Sequence, residues 1–122
     1  MLYVDTGFLI CCAEWRVDVF SELANVSHER PAFPSGVREE LEKLSVGGTA
    51  RAGYARLALK FLDSMEELPS TGKVDDWFVH NATPADRVAT MDVELRKLLR
   101  QKQVPVLIIR QQKYVKIHEG QN

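Results

Sequence analysis

The stretch that decides the fold is Leu2-Tyr3-Val4-Asp5-Thr6-Gly7-Phe8-Leu9-Ile10, where a short apolar run meets an acid and then a helical segment. A second stretch, Val88-Ala89-Thr90-Met91-Asp92, again places an acid directly after an apolar run. Strands that alternate with helices predict a parallel sheet with helices on both faces. Because a carboxylate at the C-terminal tip of such a strand faces the ligand crevice, Asp5 and Asp92 are candidate site residues.

The remaining segments complete an α/β pattern in three layers, with a central, mostly parallel sheet of about four to five strands flanked by helices. The predicted strands cover residues 1–4, 31–34, 88–91, 104–109 and 114–117. Two helices follow each other between Ser35 and Leu68, and the second is predicted to run from Thr49 to Leu68. The 122 residues predict one domain, with a core over about 1–110 and an edge strand and tail over 111–122.

Two further acids lie on predicted helices. Glu40 falls at helical spacing with Val37, Leu41 and Leu44, so it shares their apolar stripe. Asp76 opens the helix that contains Trp77, Phe78 and Val79. A carboxylate on a core-facing stripe is costly unless it is neutralised, which favours a bound cation.

Each of these acids also has an explanation without a cation. Asp5, Asp92 and either Asp75 or Asp76 could cap helices, and Glu40 could pair with a basic side chain. The combination is harder to explain in this way, because two strand tips and two helix faces can converge on one crevice. Clustered carboxylates repel each other, and Mg²⁺ or Mn²⁺ relieves the repulsion through its preference for oxygen ligands.

Composition excludes several classes of protein. Hydrophobic residues make up 45% of the chain and charged residues 27%, as in an ordinary globular domain. No apolar run approaches the roughly 20 residues that a membrane span needs, and the N-terminus has no basic leader. The adjacent Cys11 and Cys12 are poorly placed for a disulfide, which fits a reducing compartment. We therefore expect a cytoplasmic protein without a membrane partner.

The formal net charge of -1 does not indicate a partner, but basic residues are concentrated near the C-terminus. Seven lysines and arginines lie between Val93 and Lys116, against the single acid Glu94. Arg96, Lys97 and Arg100 on the predicted helix are candidate contacts to RNA phosphates. A solvated helix face explains the same residues, and charge alone favours that explanation.

The four acid-bearing segments together resemble the PIN-domain family of metal-dependent ribonucleases. In chain order they are Asp5-Thr6-Gly7-Phe8-Leu9-Ile10, Glu39-Glu40-Leu41-Glu42-Lys43-Leu44, Asp75-Asp76-Trp77-Phe78-Val79 and Ala89-Thr90-Met91-Asp92-Val93-Glu94-Leu95-Arg96. The sequences of these segments are most similar to those of small archaeal PIN proteins and of the eukaryotic nuclease that cuts precursor ribosomal RNA. It is similar, less closely, to VapC toxins of toxin–antitoxin pairs.

The resemblance implies a single PIN-like domain that hydrolyses RNA with one or two Mg²⁺ or Mn²⁺ ions. It assigns both the catalytic and the metal-binding roles to Asp5, Glu40, Asp76 and Asp92. Thr6 and Thr90 become hydroxyls that support these ligands. Two positions depart from the family pattern, since Gly7 replaces the usual Asn or Ser and Met91 replaces a polar residue. An antitoxin or a ribosome-assembly factor is a possible partner.

Three functions remain open at this point. The first is a metal-dependent endoribonuclease, of the RNA-processing or the toxin type. The second is a PIN-like scaffold that binds RNA or protein without cutting. The third is a phospho-receiver domain, ranked last because the region from Thr49 to Leu68 is predicted as helix and has no strand-tip aspartate. We also expect a homodimer, because the helix carries a wide apolar stripe that includes Tyr54, Leu57 and Phe61.

Overall fold

In a computed structural model, residues 1–118 are described and form an α/β fold with six helices and six strands. The helices are α1 (Thr6–Glu14), α2 (Val19–Val26), α3 (Ser35–Leu44), α4 (Ala50–Phe61), α5 (Val74–Asn81) and α6 (Val93–Gln101). The strands are β1 (Leu2–Val4), β2 (Pro31–Pro34), β3 (Glu66–Leu68), β4 (Arg87–Ala89), β5 (Val106–Arg110) and β6 (Tyr114–Ile117). The predicted edge strand is therefore present as β6, and residues 119–122 of the predicted tail lie outside the described part of the chain.

The six strands form one sheet in the order β3-β2-β1-β4-β5-β6. The first five strands in this order are parallel, and β6 pairs antiparallel with β5. This confirms the predicted α/β fold with a central, mostly parallel sheet. The central strands are mostly apolar because both faces of a parallel sheet are covered, and Leu2 and Val4 of β1 have no exposed surface.

The sheet has one strand more than the four to five expected, and the extra strand lies in a segment predicted as helix. The prediction of a helix up to Leu68 is wrong at its end. Helix α4 stops at Phe61, a 3₁₀ turn covers Leu62–Ser64, and β3 follows. Strand β3 pairs in parallel with β2, with Ala32 opposite Glu66. Strand β3 begins with Glu66 and Glu67, which are not apolar, so the local pattern does not indicate a strand.

The apolar stripe of α4 packs largely within the molecule. Helix α4 lies against α1 and α3, and Ala55 and Ala58 have no exposed surface. Phe61 meets Phe20 of α2 edge to face, with ring centroids 6.4 Å apart. Only Leu57 of the named stripe is exposed, at 41%. The surface on which the expected homodimer was based is therefore mostly covered by the chain itself.

The strand order places a crevice between β1 and β4. After β1 the chain continues to β2 and β3 on one side of the crevice. After β4 it continues to β5 on the other side, so the connections that follow β1 and β4 diverge. Ligands of open α/β sheets bind at such a switch point, outside the carboxyl ends of the strands. Within residues 1–118 no helix has the length and apolar character needed to cross a membrane.

Candidate active site

A pocket of about 680 Å³ opens at the carboxyl ends of β1 and β4. It carries far more negative than positive charge. The carboxylates that line it are Asp5, Glu14, Glu40, Asp75 and Asp92, and within residues 1–118 the only lining cations are Lys43 and Arg51. We call this cavity the carboxylate pocket. Three of the four acids proposed from the sequence lie in it, contributed by three different connections of the fold.

Asp5 is the most deeply buried carboxylate of the pocket, with 6% of its surface exposed. It caps helix α1, because its Oδ1 accepts a hydrogen bond from the Thr6 backbone N–H at 2.7 Å. Its Oδ2 accepts one from the Thr90 hydroxyl at 2.9 Å. Burial raises the pKa of Asp5 to about 7, helped by the charges of Asp75 and Glu40, although both hydrogen bonds act in the opposite direction.

Thr90 connects two of the carboxylates. Its fully buried hydroxyl donates to Asp5, and the same oxygen accepts from the Asp92 backbone N–H at 3.1 Å. Asp92 in turn caps helix α6, since its Oδ1 accepts from the backbone N–H groups of Glu94 and Leu95 at 2.9 and 3.2 Å. The capping explanations for Asp5 and Asp92 are therefore correct, and both residues line the pocket as well.

Thr6 makes the equivalent connection to α3. Its hydroxyl donates a hydrogen bond to Glu40 Oε1, while its backbone N–H donates to Asp5. Glu40 is not buried in the apolar stripe, as the sequence had suggested, but exposed on the pocket side of α3. The stripe itself is formed by Val37 and Leu41, which have no exposed surface. Helical spacing located the helix face correctly but did not distinguish its buried centre from the margin that borders the pocket.

The structure places Asp75 in the pocket, and not Asp76, which the sequence had proposed as the third acid. Both side chains are exposed, but only Asp75 is among the lining residues. Neither residue caps α5, whose N-cap is Lys73 without a side-chain cap bond. The phase of the helix explains the difference, because Val74 and Phe78 mark its buried face. Asp76 lies two residues from each and points away from that face, while Asp75 borders it.

Asp75 is also electrostatically tied to the other acids. Its pKa is raised by partial burial and by the charges of Asp92 and Glu40. The five carboxylates that line the pocket outnumber Lys43 and Arg51, so its described residues do not neutralise its negative charge.

Sequence reasoning did not identify three charged residues of the pocket. Glu14 follows Thr6 and Ile10 at steps of four on α1, and all three line the cavity. Lys43 lies three residues after Glu40 on α3, and Arg51 lies in the first turn of α4. Helical spacing from Thr6 would have found Glu14, and helical spacing from Glu40 would have found Lys43. Arg51 is brought in by the packing of α4 against α1 and has no local indicator.

Gly7 and Met91, the two departures from the family pattern, both line the pocket. A side chain at position 7 would meet no heavy atom within 4 Å of its Cβ. Met91 is half-buried, and its sulfur accepts a hydrogen bond from the Ile109 backbone N–H at 3.4 Å. Met91 is therefore held against β5, and neither residue adds an oxygen donor to the pocket.

The three predicted RNA contacts on α6 divide into two groups. Arg96 and Arg100 line a separate cavity, whereas Lys97 does not. The Lys97 ammonium is exposed and lies 3.8 Å from the Glu94 carboxylate, one helical turn away. An exposed pair of this kind contributes little to stability and leaves the lysine accessible.

The pocket is not a compact coordination sphere. Among the described residues 1–118, no three acidic, histidine or cysteine side chains are close enough together to form a metal-ligand group. The side chains available are nonetheless of the type that hard cations prefer, since five carboxylates supply oxygen donors. The chemistry of the donor set therefore fits Mg²⁺ or Mn²⁺.

Comparison with known proteins identifies the family. The sequence family of PIN-like domains matches residues 2–112. A solved structure described as that of the PIN domain endonuclease Utp24 is 26% identical in sequence, with a TM-score of 0.81. The match covers 98% of this chain and 91% of that one. No curated protein sequence matches. Because the family match extends over nearly the whole chain, this protein belongs to the family of PIN-like domains.

Proposed function

We propose that this protein is a divalent-metal-dependent endoribonuclease that hydrolyses RNA phosphodiester bonds with one or two Mg²⁺ or Mn²⁺ ions. The observation that carries the proposal is the convergence of Asp5, Glu40, Asp75 and Asp92 on one pocket. Burial is the main cause of the raised pKa values of Asp5 and Asp75, and the charges of the neighbouring carboxylates raise them further. The likeness to a PIN domain endonuclease supports the nuclease class.

The four carboxylates are the groups that would hold the ions. A bound ion would supply an activated water as nucleophile and offset the charge that develops on the cleaved phosphodiester. Thr90 orients Asp5 relative to Asp92, and Thr6 orients Asp5 relative to Glu40. Asp5, Glu40 and Asp92 therefore each accept a hydrogen bond that limits the rotation of the carboxylate, as ligands of a metal site require.

Lys43 and Arg51 have a separate role at the rim of the pocket. Neither forms an ion pair with a described residue, so both are available to a ligand. A phosphodiester is the substrate class that suits this arrangement, because it needs cations on the side away from the carboxylates. Arg51 can hold two phosphate oxygens at once through its planar guanidinium group.

The two alternative functions are less well supported. A scaffold that never binds a cation would gain nothing from four clustered carboxylates, which resist ionising together. A receiver domain would have the strand order 2-1-3-4-5, whereas the order here is 3-2-1-4-5 with β6 beyond. Strand β3 shows that the region from Thr49 to Leu68 is not helical throughout, as had been predicted. No aspartate stands at the tip of β3, however, because Pro69 follows Leu68. The strand order and the family add to this argument against a receiver.

The experiment is RNA cleavage by the purified protein in chelator, in Mg²⁺ and in Mn²⁺. Asp75→Asn should lower the rate by several powers of ten, because one ligand of the site is lost. Asp76→Asn is the matched control, since it removes the same charge from the same helical turn outside the pocket. Glu40→Gln and Glu42→Gln form a second pair of this kind on α3. Metal-independent cleavage, or equal loss in both members of a pair, would refute the proposal.

The proposed partners follow from the same function. RNA is the substrate, and the choice between a toxin and an RNA-processing enzyme rests on whether a small antitoxin is encoded beside this gene. A homodimer also remains a prediction. Since α4 is mostly covered, a dimer would have to use exposed apolar residues such as Leu57 or Tyr114. Light scattering at micromolar concentration distinguishes the dimer from the monomer mass of 13.8 kDa.

A further inference from the structure

A second cavity, of about 250 Å³, lies between α6 and the start of β5. Its polar lining includes Arg96, Arg100 and His118, and its apolar side is formed by Val104, Pro105 and Val106. The described residues that line it include no aspartate or glutamate. We call it the arginine cavity. It is separate from the carboxylate pocket, with which it shares no lining residue.

The hydrogen bonding of Arg96 indicates what the arginine cavity binds. The Nε atom of Arg96 is buried and has no hydrogen-bond acceptor among residues 1–118. Neither Arg96 nor Arg100 forms an ion pair within that part of the chain. Buried donors are rarely left without an acceptor in folded proteins, so an anionic ligand is the partner expected here. Two guanidinium groups around one cavity match the geometry of a phosphate group.

Helix α6 connects the arginine cavity to the carboxylate pocket. Asp92, Arg96 and Arg100 are spaced four residues apart, so they follow one face of the helix. With a rise of 1.5 Å per residue, the two arginines lie about 6 Å and about 12 Å along the helix axis from Asp92. An extended nucleic-acid strand that places one phosphodiester beside Asp92 can therefore follow this face of the helix. A neighbouring phosphate of the same strand then reaches the arginine cavity.

We propose that the arginine cavity binds a backbone phosphate of an RNA strand that also enters the carboxylate pocket. This proposal rests on the nuclease function for the identity of the strand. The cavity sets the direction in which the strand crosses the pocket, because a phosphate contact fixes register without reading sequence. The half-buried Pro105 offers a small apolar surface beside the attached ribose.

The test is the affinity for a short, fluorescently labelled single-stranded RNA, measured by anisotropy in chelator over a range of salt concentrations. Arg96→Gln/Arg100→Gln should weaken binding and reduce the slope of log affinity against log salt by about 0.7, the value for one single-strand phosphate contact. The matched control is Lys60→Gln/Lys113→Gln. It removes two positive charges from exposed positions outside both cavities and should leave the slope unchanged.

Arg100→Gln alone is the second variant, because Arg100 is exposed and its replacement is safe for folding even if that of half-buried Arg96 is not. It should weaken RNA binding in the same direction. Equal losses in the arginine and lysine pairs would overturn the proposal in favour of unspecific surface charge. Wild-type RNA affinity in the folded arginine variants would also overturn it, and would direct attention to an acidic protein segment as the occupant.

Two further measurements separate this proposal from the nuclease function and from free phosphate. If wild type binds RNA through the arginines but cuts no RNA in Mn²⁺, the nuclease function fails and the RNA site stands. If wild type cuts RNA but replacement of the arginines leaves its RNA affinity unchanged, the proposal for the arginine cavity is refuted and the nuclease function is retained. Inorganic phosphate should compete with the RNA only weakly. Competition by phosphate at a concentration equal to that of the RNA would identify a small-anion site and refute the strand contact.

Discussion

The conversion of Asp5 to asparagine should stabilise the metal-free protein, and the gain should depend on pH. Asp5 is almost fully buried, and burial is the main cause of its raised pKa. Asparagine is nearly the same size and can still accept the hydrogen bond from the Thr6 backbone N–H, so the cap of α1 is preserved. The Thr90 hydroxyl can turn to accept from the new amide group. The substitution therefore removes the charge and little else.

The magnitude follows from the pKa of Asp5 in the two states. The pKa is about 7 in the folded protein, against an ordinary value of 3.8. At 1.36 kcal/mol for each pH unit between these values, ionised Asp5 lowers the free energy of unfolding by roughly 4 kcal/mol. Because the folded-state pKa is raised, Asp5 is protonated in both the folded and the unfolded protein below about pH 4, and it does not lower the free energy of unfolding there. Its unfavourable contribution grows as pH rises from about 4 to about 7. Above the folded-state pKa the contribution no longer changes.

The assay is urea unfolding of both proteins in chelator at several values between about pH 5 and about pH 8.5. The difference in unfolding free energy should favour asparagine increasingly as pH rises and should level off above the pKa of Asp5. Comparing two proteins at each pH cancels the contributions of other groups to a first approximation. A difference that does not change between pH 5 and pH 8.5 would refute the argument that burial holds Asp5 partly protonated.

Three other predictions can be checked in the same way. Mn²⁺ should raise the melting temperature of wild type and Asp76→Asn by similar amounts and that of Asp75→Asn by less, and equal shifts in all three would exclude Asp75 as a ligand. Thr90→Val should lower the free energy of unfolding by about 1–3 kcal/mol and slow RNA cleavage, because Asp5 and the Asp92 backbone N–H each lose their hydrogen bond to the Thr90 hydroxyl. An unchanged denaturation midpoint would contradict this. Lys102→Met should cost about 2 kcal/mol, since the Lys102 ammonium donates to the Val79 and Ala82 carbonyls at the end of α5; urea denaturation showing no loss would mean that this contact is only incidental.

The residues that terminate strands were identifiable from the sequence alone. Asp5 directly follows strand β1, and Asp92 lies three residues after Ala89, where β4 ends two residues earlier than the predicted Met91. The carboxyl end of every parallel strand points to the same edge, so a residue at that position reaches the crevice whatever the rest of the chain does. For the same reason, the α/β class could be inferred from the local order of apolar runs and acids, whereas the family was inferred from the resemblance of the four acid-bearing segments.

The helical periodicity was not sufficient to identify which acids on helices α3 and α5 line the carboxylate pocket. The stripe of Val37 and Leu41 identified the correct face of α3, but the exposure of Glu40 depends on where α1 ends its contact with that face. The choice between Asp75 and Asp76 depends on the direction from which α5 packs. Adjacent residues on a helix differ by about 100° in direction, so a small rotation decides which one reaches the pocket.

Only the tertiary structure decided the features that depend on distant parts of the chain. Strand β3 is a strand because β2 offers it backbone partners, although its own residues, Glu66 and Glu67, do not favour one. Arg51 reaches the pocket because α4 packs on α1, and Arg96 and Arg100 share a cavity because β5 passes beside α6. Local patterns record which face of an element is buried, whereas a site assembled from several elements depends on how those elements are packed together.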